Sequence, residues 1–133
     1  MNTIINIKQR SEICVGALAD NLERLLPRGR VVVITDANID RLYHPLVERF
    51  EHIIIGNGET NKTLQTVENI YRQLMAMGAD RSTFLLGIGG GIVTDITGFV
   101  AATYMRGVEF GFVSTTLLGA VDASVGGKNG VNV

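Results

Sequence analysis

The chain has 133 residues, 46% hydrophobic and 19% charged, with a net charge of -1 at pH 7. That is one domain with enough apolar material for a core, which argues against disorder, and its scattered Lys and Arg argue against a nucleic-acid surface. Cys14 is the only cysteine, the opening Met1-Asn2-Thr3-Ile4 is neither basic nor long and apolar, and no apolar run reaches membrane-spanning length, so a cytoplasmic protein is expected.

In chain order, Thr3 to Ile7 and Glu12 to Val15 read as two short strands joined by polar Lys8-Gln9-Arg10-Ser11, the pattern of a hairpin. Leu18, Leu22, Leu25 and Leu26 mark a helix that Pro27 ends. Val31 to Ile34 is a continuous β-branched run, as in a strand buried on both faces of a parallel sheet. It stops at Thr35-Asp36-Ala37-Asn38. A carboxylate at the end of a parallel strand can accept hydrogen bonds from ribose hydroxyls, or it can cap the next helix; for Asp36 and Asn38 both readings stand, the cap being preferred on these residues alone.

The next helix places Ile39, Leu42, Leu46 and Phe50 on one face, and Pro45 inside it demands a kink or a restart at His44-Pro45. His52 to Ile55 is another strand. The polar segment Gly56-Asn57-Gly58-Glu59-Thr60-Asn61-Lys62 follows, too long for a tight turn. Leu64, Val67, Ile70, Tyr71 and Leu74 then form an amphipathic helix closed by Gly78.

The chain is organised around the stretch that comes next. Thr83 to Ile88 is an apolar strand that breaks into Gly89-Gly90-Gly91, after which Ile92, Ile96, Phe99, Val100 and Thr103 fall at helical spacing. Three glycines remove every Cβ from the turn, and a helix start aims unpaired N–H groups and positive dipole at whatever lies above it, so a diphosphate fits. The same glycines could serve only to let helix and sheet pack closely. The spacing is not that of the dinucleotide fingerprint, because Ile92 stands where a third glycine would be needed, and no Gly-Lys-Ser/Thr follows. Asp95 is the only charge between Ser82 and Met105, which places this unit in the middle of the sheet. Phe110 to Val113 supplies a further strand, with Ser114-Thr115-Thr116 putting hydroxyls at its carboxyl end. The pattern predicts an α/β fold, a Rossmann-like, mostly parallel sheet with helices on both faces. Strand order cannot be read from it.

Read together, Gly-Gly-Gly-Ile-Val-Thr-Asp, Gly-Phe-Val-Ala-Ala-Thr-Tyr-Met-Arg-Gly and Ser-Thr-Thr-Leu-Leu-Gly-Ala-Val-Asp-Ala-Ser-Val-Gly-Gly-Lys-Asn-Gly-Val-Asn, between Gly89 and Asn132, closely resemble 3-dehydroquinate synthases, from about Val31 onward. The resemblance implies an amino-terminal α/β domain for NAD, here residues 1–133, and a helical carboxyl-terminal domain holding a divalent metal, zinc or cobalt. That second domain is expected to be absent from this chain. In the family the metal is held by a Glu and two His further along, and His44 and His52 match none of them, so both are expected to be surface or packing residues.

Residue by residue, the resemblance puts Asp36 and Asn38 at the adenosine ribose of NAD. Asn57, Gly58, Glu59, Thr60, Asn61 and Lys62 match the family's Asp-Gly-Glu-x-x-Lys loop, with Asn57 in place of Asp. Gly90, Gly91, Ile92, Val93 and Thr94 match the diphosphate turn. Asp95 closes that motif, and because a carboxylate would repel phosphate it is expected at a ribose or the nicotinamide. Thr115 and Thr116 match nucleotide-contacting hydroxyls. Asp122 and Lys128 match groups that reach the substrate, Lys128 also lying at the cofactor, and Arg106 matches an arginine given to the neighbouring subunit's substrate phosphate. A homodimer and a phosphorylated sugar-acid substrate follow, with no nucleic-acid or membrane partner.

Ser114, Gly119 and Ala123 stand where the family usually has Pro, Ala and Ser. The implied reaction converts 3-deoxy-arabino-heptulosonate 7-phosphate to 3-dehydroquinate and phosphate in the shikimate pathway. Competing readings are a related sugar-phosphate cyclase, a metal-dependent polyol dehydrogenase, or a nucleotide-binding module without catalysis. Dehydrogenases generally carry Lys where this chain has Gly98, and the other cyclases tend to depart from Ser-Val-Gly-Gly-Lys. With no metal site and one wall of the cleft, the isolated chain is expected to bind NAD weakly or not at all and not to turn over.

Overall fold

The β-branched run at Val31 presents apolar side chains to both sides of a strand, so it needs cover on both faces. In the computed structural model, which describes residues 2–7, 14–17 and 26–114, it has that cover. Among these residues one sheet contains β1 (Asn2–Ile7), β2 (Cys14–Ala17), β3 (Val31–Asp36), β4 (Glu51–Ile55), β5 (Phe84–Gly89) and β6 (Phe110–Ser114) in the order β2-β1-β6-β5-β3-β4. The four strands β4, β3, β5 and β6 run parallel, and β1 adds antiparallel to β6 with β2 beyond it. The hairpin reading is borne out by the antiparallel pairing of β1 with β2; Glu12 and Ile13, the expected start of the second strand, lie outside the described residues. The predicted helix over Leu18 to Leu26 lies almost entirely outside the described residues.

Among the described residues three α-helices follow strands: α1 (Ala37–Val47), α2 (Leu64–Ala76) and α3 (Gly91–Thr103). Val32, Ile34, Ile53, Ile55, Leu85, Phe110 and Phe112 point to the face covered by α2 and α3, packing with Val67, Ile70, Leu74, Ile96 and Val100. Val33, Phe84, Leu86, Ile88 and Val113 point to the other face, where Ile39 and Val47 of α1 lie with Leu26, Leu46 and Phe50. Helices on both faces were expected, and the alternation of side chains along each strand is what divides the core in two.

Two expected faces are corrected. Leu42 is 56% exposed and does not join Ile39; Val47 does. A break at Tyr43 (φ -125°, ψ 30°), two residues before Pro45, re-phases the second half of α1 and turns Val47 to the sheet. Leu64 is exposed at the first position of α2, before the helix reaches the sheet. On α3 burial extends well beyond the expected stripe, to Val93, Thr94, Thr97, Gly98 and Ala101, because this helix lies over the central strands and against α2.

Topology places the site. The chain leaves β3 outward to β4 through α1, then returns across β3 to β5 through α2. Right-handed crossovers in opposite directions put their helices on opposite faces, so the strand order reverses between β3 and β5. Outside the carboxyl ends at such a reversal is where open α/β sheets bind ligands.

Candidate nucleotide site

Asp36 ends β3 and Gly89 ends β5, on the two sides of the reversal. Thr35 Oγ1, fully buried, donates to the carbonyl of Ile88 at 2.7 Å and fastens the two strand ends together. Asp36 Oδ1 accepts the Ile39 N–H at 2.8 Å, so the cap reading of Asp36 is correct, and the cap holds its carboxylate at the mouth of the crevice. Asn38 is exposed beside it; its Oδ1 accepts from Arg41 Nη2 at 2.5 Å and its backbone N–H donates to Asn57 Oδ1 at 3.1 Å.

The glycines divide by function. A Cβ on Gly87 would lie 2.6 Å from Thr97 Oγ1 and 3.0 Å from Thr97 Cβ, and one on Gly89 would lie 2.8 Å from Val93 Cγ2. These two are bare so that α3 can lie close on β5. A Cβ on Gly91 would meet nothing within 4 Å. Among the described residues packing therefore makes no demand on Gly91, and the space above it is open. The helices differ in the same way: α1 and α2 are capped by the side chains of Asp36 and Thr63, whereas α3 begins after Gly90 with no side-chain cap. Its first N–H groups receive no hydrogen bond from an N-cap side chain, which suits a diphosphate.

The loop after β4 reaches this turn from the side. Glu59–Asn61 form a 3-10 turn, and Lys62 follows with its Nζ 2.8 Å from Asp95 Oδ2 on α3. Both side chains are about four-fifths buried, at 19% and 22% exposure, so water screens the pair less than a surface ion pair. The hydrogen bond to Asp95, and to a lesser degree the charges of Asp95 and Glu59, raise the Lys62 pKa above its ordinary value against the opposing effect of burial. The loop's shape comes from Asn61. Its amide fills the place a Gly56 Cβ would take, 2.5 Å from Asn61 Oδ1, and its Nδ2 donates to the Asn57 carbonyl at 2.6 Å.

Asp36, Asn38, the 57–62 loop and the 90–95 turn thus gather at one sheet edge. Sequence reasoning missed Thr35, Gly56 and the pairing of Lys62 with Asp95; a glycine just before the polar loop was the one legible signal. Thr115, Thr116, Asp122 and Lys128 lie outside the described residues. Arg106 lies elsewhere: it is exposed beyond the far end of α3, and 13 helical residues set it about 20 Å from Gly91. Met105 and Arg106 both adopt left-handed backbone, φ 48° and 69°. Among the described residues no group of three His, Cys, Asp or Glu could hold a metal ion, and no helix is long and apolar enough to cross a membrane. His44 is exposed between Asp40 and Glu48, and half-buried His52 hydrogen-bonds the Phe50 carbonyl at 2.9 Å, in keeping with surface and packing roles.

A mostly parallel sheet with a glycine-opened helix at its reversal point defines a Rossmann-like α/β domain. Residues 52–133 match the family described as 3-dehydroquinate synthase N-terminal. The 3-dehydroquinate synthase of Pyrococcus abyssi is 54% identical over 122 residues, covering 89% of this chain and 37% of that protein. That of Natranaerobius thermophilus is 39% identical over 144 residues, covering 99% and 39%. Among solved structures, a 2-deoxy-scyllo-inosose synthase complexed with carbaglucose-6-phosphate, NAD+ and Co2+ superposes with a TM-score of 0.76 at 26% identity, over 100% of this chain and 40% of that one. ValA, a 2-epi-5-epi-valiolone synthase from Streptomyces hygroscopicus subsp. jinggangensis 5008 with NAD+ and Zn2+ bound, gives 0.66 at 29% identity over 89% and 34%. The chain belongs to the 3-dehydroquinate synthase family. It spans about two fifths or less of the length of these relatives.

Proposed function

We propose that the intact protein is a 3-dehydroquinate synthase and that this chain is its NAD-binding domain. The reaction converts 3-deoxy-arabino-heptulosonate 7-phosphate to 3-dehydroquinate with release of phosphate. The observation that carries this reading is the uncapped start of α3 at Gly91, open above and set at the strand-order reversal, in a chain of this family. Bound there, NAD supplies hydride transfer.

In this reading the backbone N–H groups of Gly91, Ile92 and Val93 hold the diphosphate, with Thr94, whose own N–H is bonded to the Gly90 carbonyl, beside them; Asp36 and Asn38 hold the adenosine ribose, and the 57–62 loop covers the nucleotide from the β4 side. Asp95 serves a ribose or the nicotinamide, Thr115 and Thr116 add hydroxyl contacts, Asp122 orients the substrate hydroxyls, and Lys128 reaches both cofactor and substrate phosphate. The divalent metal, as the family resemblance implies, belongs to a helical second domain. Arg106, remote from its own glycine turn, serves the phosphate site of a second copy in a cytoplasmic homodimer.

Phosphate release and dehydroquinate formation by the intact protein test this directly. Loss of both in Lys128→Ala is expected; unchanged release would overturn the assignment. The 133-residue chain alone is expected to show no turnover. The second reading is a sister sugar-phosphate cyclase, which the two structural neighbours favour; activity on hexose or heptulose phosphates but not on the sugar acid would establish it.

A further inference from the structure

We infer that Lys62 is a positioning residue that acts through Asp95: its ammonium cancels the one carboxylate on the first turns of α3, so that the helix start can accept a nucleoside diphosphate. The inference rests on the nucleotide reading of this site.

The physical problem is local. Asp95 is the fifth residue of α3 and the only charge between Ser82 and Met105. A lone carboxylate there sets a negative field against the helix dipole, on the side where a diphosphate would approach. The compensating charge cannot come from α3, which carries no cation. It comes from a separate element, the loop after β4, and reaches Asp95 with Nζ at 2.8 Å in a partly buried setting.

That loop is built to hold Lys62 in place. Asn61 sits against the bare Gly56 and holds the Asn57 carbonyl, Asn57 Oδ1 holds the Asn38 N–H, and Thr63, the next residue, caps α2. Lys62 is thus fixed on both sides along the chain. One of the three ammonium N–H groups goes to Asp95, and the effect assigned to Lys62 on a bound anion is removal of the Asp95 repulsion, which, unlike a direct phosphate contact, vanishes when Asp95 itself is neutralised.

The test is calorimetric titration of the intact protein with adenosine diphosphate, which carries the diphosphate but neither the second ribose nor the nicotinamide that Asp95 could also touch. Lys62→Met is expected to weaken binding about tenfold or more by exposing the carboxylate. Asp95→Asn tightens it, and the double variant Lys62→Met with Asp95→Asn returns to within about threefold of the parent, a non-additivity that a merely structural lysine would not give. The Lys62→Met penalty shrinks as salt is raised. Thermal melts report folding; should Lys62→Met fail to fold, Lys62→Gln, which can hydrogen-bond Asp95 without charge, replaces it and follows the same pattern, while Lys62→Arg keeps the parent affinity. A double variant as weak as Lys62→Met, with the parent binding normally, overturns the inference and leaves the nucleotide reading standing. A parent that binds neither adenosine diphosphate nor NAD overturns both.

Discussion

The Thr35 hydroxyl and the Ile88 carbonyl, 53 positions apart in the chain, meet at 2.7 Å and lock the carboxyl ends of β3 and β5 where the strand order reverses. Both residues are fully buried, so neither group has water to fall back on. Thr35→Val, nearly the same in shape, removes the donor and is expected to cost about 1–2 kcal/mol. Urea unfolding would show it as a lower midpoint at unchanged slope. An unaltered midpoint would mean the bond contributes nothing.

Gly87 and Gly91 lie four residues apart and should respond to alanine in opposite ways. At Gly87 the new methyl meets Thr97, whose hydroxyl is bonded at 2.8 Å to the Val93 carbonyl and is buried. Alanine there forces α3 off the sheet, at about 1–3 kcal/mol. At Gly91 alanine meets no neighbour, so the melting temperature holds, while the methyl enters the space assigned to the diphosphate and NAD affinity falls. Equal stability losses at the two positions would remove the distinction between packing and ligand glycines.

His44 ties the two halves of α1 across the break at Tyr43. Its Nδ1 lies 3.0 Å from Asp40 Oδ1 and its Nε2 3.3 Å from Glu48 Oε2. The hydrogen bond and the charge of Asp40, with a smaller contribution from Glu48, raise its pKa above 6.5. A raised folded-state pKa means stabilisation that is complete below the unfolded value and disappears as pH rises through the folded one. The melting temperature of the parent should therefore drop more between about pH 5 and pH 8 than that of His44→Ala. Identical pH profiles would show that the clamp is idle.

Arg106 and Lys128 make a subunit-mixing prediction. If Arg106 serves the neighbour's site, Arg106→Ala and Lys128→Ala are each inactive, yet heterodimers formed on mixing carry one site with both groups intact. Random exchange then restores about a quarter of the parent activity, as two-fold symmetry requires. No recovery, with exchange verified by mass, would place both residues in the same subunit's site.

Local chemistry made much of this protein legible. The β-branched run of β3, the Asp36 cap, the apolar period of α2 and the three glycines each follow from neighbours a few residues away, and they set strands, helices and the α/β class. The linked motifs between Gly89 and Asn132 carried the family, because several spaced signals in one order are far more specific than one loop. Phase was harder to read. The break at Tyr43 brings Val47 to the sheet in the second half of the helix, since a proline's effect on phase depends on what that half must cover. What tertiary structure alone decided is pairing at a distance. Strand order depends on which buried faces match after all helices are placed, and only that order puts the end of β3 beside the end of β5. Only the folded loop brings Lys62 to Asp95, 33 residues away, and only α3 lying on the sheet separates the glycines that packing requires from the one it leaves open.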